Sequence, residues 1–86
     1  MYVGAGNQDK NALAQEFLPM VKRIAYHMMT RLPASVEVDD LIQAGLMGLM
    51  DAVNRYDSEQ GALFETYATQ RVRGAMLDEL READWA

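Results

Sequence analysis

The sequence predicts an all-α fold, a compact bundle of three main helices, with the first kinked or split at Pro19. Three observations predict it. Apolar residues recur at steps of three and four along three stretches of the chain, the pattern of amphipathic helices. No run alternates with the period of two that marks a half-buried strand. Two clusters of turn-forming or helix-ending residues, Leu32-Pro33-Ala34-Ser35 and Asp57-Ser58-Glu59-Gln60-Gly61, separate the three stretches.

Residues 1–7 are small and show no periodicity, so they are expected to be disordered, with the helical domain over residues 8–86. The first helix is expected from about Asp9, on the spacing of Leu13, Phe17, Met20, Val21, Ile24, Met28 and Leu32. Pro19 interrupts that pattern: it lacks a backbone donor and crowds the preceding turn. Pro33 disfavours helical geometry at Leu32 and ends the element.

The second helix should start with Asp39 as N-cap and carry Asp40 in its first turn, where the helix dipole favours acid. It should run to about Tyr56. Val38, Leu41, Ile42, Gly45, Leu49, Ala52 and Val53 fall on one stripe, the expected core face. Gly45 and Gly48 would allow a neighbouring backbone to come close, at a helix cost of about 1 kcal/mol each. A second stripe, Gln43, Leu46, Met47, Met50 and Asn54, is flanked by Asp40 and Asp51. Periodicity leaves two readings of it: a partner-binding face with adaptable methionines, or surface covered by the first helix.

The third helix should begin at Phe64 or Glu65 and reach Leu80 or beyond. Phe64, Ala68, Val72, Ala75, Met76 and Ala83 form its core stripe; Tyr67, Gln70, Arg71, Gly74, Leu77 and Arg81 form an outer one, with Arg73 at its edge. An aromatic ring, guanidiniums and an amide on one face suit unstacked bases and their phosphates. A solvated face, its arginines paired with Glu65, Asp78, Glu79 or Glu82, accounts for the same residues. The helical pattern is still running at Arg81-Glu82-Ala83-Asp84-Trp85 with no closing cap, which predicts a chain cut from a longer one.

Composition bounds the chemistry. A chain of 86 residues suits one domain. It has no cysteine, hence no disulfide framework and no thiolate metal site. There is no basic segment followed by an apolar run at the start, and no apolar stretch near the roughly 20 residues that cross a bilayer. A cytoplasmic protein without membrane contact is therefore expected. The net charge of −5 argues against a domain that grips duplex DNA alone, since such binding rests on cations neutralising phosphates. His27 stands without a nucleophile or ligand cluster, and Asp39-Asp40 sit where a helix start accounts for acids. We expect no enzyme activity, no metal and no cofactor.

Several runs together resemble region 2 of bacterial sigma factors of the flagellar type, in the sigma-70 family. They are Val21-Lys22-Arg23-Ile24-Ala25-Tyr26-His27 and Arg31-Leu32-Pro33-Ala34-Ser35-Val36 at the start, then Asp39-Asp40-Leu41-Ile42-Gln43-Ala44-Gly45-Leu46-Met47-Gly48-Leu49, then Phe64-Glu65-Thr66-Tyr67-Ala68 and Arg71-Val72-Arg73-Gly74-Ala75-Met76-Leu77-Asp78-Glu79-Leu80, with Asp84-Trp85 closing. The resemblance covers about residues 15–85. It implies a domain that binds core RNA polymerase and melts the minus-ten promoter element, in transcription of flagellar genes. It assigns Asp40, Gln43, Leu46, Met47 and Met50 to the clamp helices of the polymerase's largest subunit. It assigns Tyr67, Gln70, Arg71 and Arg73 to the non-template single strand of promoter DNA, with Tyr67 supporting a flipped base. An anti-sigma factor is a further implied partner. Gln70 and Arg71 stand where primary sigma factors often carry a tryptophan pair, so the duplex-opening wedge is expected to differ. The alternative function is a helical protein-interaction domain that does not engage DNA.

Overall fold

The computed structural model describes the backbone of residues 2–56 and 63–83 and the side chains of 10–56 and 63–82. These residues form three helices, α1 (Tyr2–Met29), α2 (Val38–Arg55) and α3 (Phe64–Ala83). The all-α expectation holds. The turn expected at 57–61 and the closing Asp84-Trp85 lie outside the described residues.

α1 departs from expectation at both ends. It begins at Tyr2 rather than near Asp9, so the segment expected to be disordered over 1–7 is helical from Tyr2 onward. Extending an existing helix adds a hydrogen bond per residue without a new nucleus, so it does not need the hydrophobic periodicity on which the later start was read. Nor is α1 split at Pro19, through which it runs unbroken. Gln15 and Pro19 both lie on the exposed side, so the carbonyl deprived of its donor can turn to water. The helix ends three residues before Leu32. There the Thr30 hydroxyl donates to the His27 carbonyl at 2.7 Å, and the amides of Thr30, Arg31 and Leu32 turn tightly onto the carbonyls of His27, Met28 and Met29.

α2 opens two residues earlier than expected. Glu37, not Asp39, is the N-cap, with extended backbone and no side-chain capping bond. The Glu37 carbonyl accepts the Asp40 amide at 3.1 Å, which leaves both Asp39 and Asp40 in the first turn. The half-buried Val38, packed on the core, accounts for the earlier start. At the other end the Tyr56 amide donates to the Ala52 carbonyl at 2.9 Å.

α2 packs along both neighbours, whereas α1 and α3 touch each other far less. Met20, Val21, Ile24 and Ala25 of α1, Leu41, Leu49 and Ala52 of α2, and Ala68, Val72 and Met76 of α3 make the buried core. The glycines of α2 allow this. A Cβ on Gly48 would stand 2.7 Å from the Arg71 carbonyl oxygen and 2.9 Å from the Ala75 Cβ, and one on Gly45 would run into Met76, Val21 and Val72. At one end Phe64 meets Phe17 and Tyr56 edge-on, each at 5.3 Å between centroids, and Tyr67 leans on Tyr56 at 5.9 Å. This aromatic cluster fastens the start of α3 to the middle of α1 and the end of α2.

Candidate binding surfaces on α2 and α3

The outer stripe of α2 is covered in part. Asp40, Gln43, Met47 and Asn54 are exposed, and Met47 shows 73% of its surface. Leu46 and Met50 are half-buried, with Leu46 packed against the core. Of the residues assigned to polymerase, Asp40, Gln43 and Met47 form an open row, while Leu46 is shared with the interior and Met50 is half covered. The row lines a shallow cleft of about 310 Å³ with Ala44, Ala75, Asp78, Glu79 and Glu82. Spacing along α2 pointed to acids at Asp40 and Asp51. The acids of α3 complete the rim, and which of them reach it depends on how the helices cross. An apolar floor inside an acidic rim suits a partner of mixed basic and apolar character.

The outer face of α3 is less uniform than its spacing suggested. Gln70, Arg73, Gly74 and Leu77 are exposed, and a Cβ on Gly74 would meet nothing within 4 Å. Tyr67 is half-buried, its ring drawn into the aromatic cluster. Arg71 is exposed but paired with an acid from α2: the Asp51 carboxylate accepts from its guanidinium and from Arg55 Nε at 2.7 Å. None of the acids on α3 provides this partner; Asp78 instead takes Arg81 at 2.7 Å. Arg73 has no ion pair among the described residues and borders a depression shared with Glu65, Thr66, Thr69 and Gln70.

The hydrogen bond from Arg71 holds the Asp51 carboxyl below the ordinary carboxylate range, aided by Arg55 and opposed by partial desolvation. A carboxyl depressed on folding contributes stability above its unfolded pKa and loses it as pH falls through its folded one. The Asp51 clasp is therefore complete at neutral pH and releases in acid.

A second cleft, of about 410 Å³, follows the α2–α3 seam and is lined by Met47, Gly48, Asp51, Gln70, Arg71, Gly74, Ala75 and Asp78. Met47, Ala75 and Asp78 border both clefts, so the surfaces assigned separately to polymerase and to DNA adjoin along one seam. Among the described residues no group of acids, histidines or cysteines could hold a metal ion, and no helix is long and apolar enough to cross a membrane.

Comparison with known proteins places this geometry. The sigma-70 region 2 family matches residues 13–86. The RNA polymerase sigma factor FliA of Pseudomonas aeruginosa is 58% identical over 87 aligned residues, which cover 100% of this chain and 35% of that protein. The RNA polymerase sigma-D factor of Bacillus subtilis is 40% identical over 73 residues, covering 85% of this chain and 29% of that protein. The cocrystal structure of the flagellar sigma/anti-sigma complex Sigma-28/FlgM superposes with a TM-score of 0.85 at 30% identity, over 100% of this chain and 38% of the matched one. The chain thus spans about a third of the length of these relatives. With that match over most of its length, the chain belongs to the sigma-70 region 2 family, with a flagellar sigma factor among its structural relatives.

Proposed function

We propose that this chain is the region 2 module of a flagellar-type sigma factor, with no catalytic role of its own, working in the cytoplasm. It holds core RNA polymerase through the α2 row and captures the non-template strand of the minus-ten element on α3. The observation that carries this reading is the exposed row Asp40, Gln43 and Met47, an apolar side chain among polar ones on a helix whose opposite side packs into the core. A solitary exposed methionine is ordinary on a protein surface. Here it stands in an acid-rimmed cleft, among the residues that the resemblance of the α2 sequence implies for the polymerase clamp helices. The Sigma-28 structures, solved with FlgM, support an anti-sigma factor as a further partner.

Gln43→Ala and Met47→Asp are expected to weaken capture of a clamp-helix fragment roughly tenfold each, above the cost of about 1 kcal/mol that most interface residues do not reach, with melting temperature nearly unchanged. Met47 is the sharper probe because the half-buried Met50 would confound binding with stability. Undiminished capture by both variants would remove α2 as the polymerase face.

One observation favours the alternative of a helical protein-interaction domain that does not engage DNA. Tyr67 is half-buried and Arg71 is already paired. Substitution of Tyr67, argued below, separates the two.

A further inference from the structure

Asp51 belongs to neither set of assigned contacts, yet α2 controls Arg71 through it. The Arg71 backbone carbonyl lies against Gly48, and the Arg71 guanidinium is bound by Asp51 one turn further along the same helix. Both ends of one residue on α3 are therefore referred to α2. A guanidinium has five N–H donors in a rigid fork. Holding one of them on a carboxylate restricts the directions the rest can take. Gln70 and Gly74 line the same cleft, and Gly74 puts no side chain in the way.

The charge balance is equally specific. Asp51, shared with Arg55, offsets part of the local charge of Arg71, whereas the neighbouring exposed cation, Arg73, has no acid partner among the described residues. Two arginines two residues apart on one helix are thus in different electrostatic states.

We propose that Asp51 is a positioning residue for strand capture: it sets the Arg71 guanidinium so that Arg71 acts through oriented donors, while Arg73 supplies the charge that engages phosphate. The proposal rests on α3 being the strand-capturing face.

The test uses the complete sigma factor with core polymerase, measuring open complexes on a promoter across a range of KCl concentrations. Each phosphate contact to single-stranded DNA contributes about −0.7 to the log–log salt slope. Arg73→Ala should flatten the slope by about that amount. Arg71→Ala should lower open-complex formation about tenfold at every salt concentration, with the slope unchanged. Asp51→Asn should lower it similarly and steepen the slope, because the released guanidinium takes phosphate. On an Arg71→Ala background, Asp51→Asn should add nothing, and Asp51→Glu should restore part of the loss in the otherwise unchanged protein.

Full activity of Asp51→Asn overturns the proposal. So does an Asp51→Asn defect of equal size when Arg71 is already alanine, since Asp51 would then act through Arg55 or through folding. If Arg71→Ala and Tyr67→Ala are both silent, the underlying reading of α3 fails. A defect in Arg71→Ala beside a silent Asp51→Asn removes the positioning role alone.

Discussion

Replacing Gly48 by alanine is expected to lower the unfolding free energy by about 1–3 kcal/mol, and replacing it by leucine by more. Helix propensity acts the other way, since alanine is favoured over glycine inside a helix by about 1 kcal/mol. Packing decides the sign. The added Cβ would stand 2.7 Å from the Arg71 carbonyl oxygen, a backbone atom that cannot swing aside, and 2.9 Å from the Ala75 Cβ. α2 and α3 would have to part along their principal contact. In a domain of this size about 1 kcal/mol moves the melting temperature by about 4–8 °C, so the loss is readily measured. Gly74→Ala is the control. Its Cβ would enter open space on the exposed side of a helix, and it should raise stability by about 0.5–1 kcal/mol. If Gly48→Ala melts at or above the parent temperature, the seam is looser than described.

Tyr67→Ala is expected to reduce open-complex formation in the complete sigma factor about 5- to 150-fold while leaving polymerase binding nearly unchanged. Stacking on an aromatic ring contributes about 1–3 kcal/mol per base, and about 1.4 kcal/mol corresponds to a factor of ten. Extruding a base costs a few kcal/mol, much of which the stacking partner must offset. The structure adds a complication that spacing did not reveal. Tyr67 also leans on Tyr56, and aromatic pairs of this kind contribute about 0.5–1.5 kcal/mol. Truncation will therefore cost some stability as well. Tyr67→Phe keeps both rings and should open promoters close to the parent level, which separates stacking from folding. Permanganate reactivity of unpaired thymines reports opening, and a pre-melted promoter should rescue Tyr67→Ala incompletely. Opening at the parent level by Tyr67→Ala would favour the protein-interaction reading.

Much of the helical framework and most of the core were legible in the sequence because burial follows helical spacing. Leu41, Leu49 and Ala52, and likewise Ala68, Val72 and Met76, lie inside where their period put them. Gly45 and Gly48 also mark close approaches, as their place in an apolar helix suggested. What escaped depends on relations between helices. Nothing along α2 says that Asp51 will meet Arg71, or that Met50 will be half covered while Met47 stays open. The aromatic cluster joins Phe17, Tyr56, Phe64 and Tyr67 from distant parts of the chain, and it changes the meaning of the residue that family resemblance made most functional. The start of α1 was missed for a different reason, since residues 2–8 carry no apolar periodicity from which a helix could be read.

The placement of α2 between two helices that touch each other far less than either touches it also sets how the molecule opens. Backbone amides in the middle of α2 are shielded from both sides, so deuterium can reach them only when the whole domain comes apart. The early turns of α1 are expected to exchange by fraying, well before that event. α1 and α3 also meet each other, through Phe17 and Phe64 and around Gly45, but loosening of either outer helix does not by itself free the helix between them. A partner that grips the exposed edge of α2 therefore takes hold of the slowest-exchanging part of the fold, and its attachment outlasts local openings on either side.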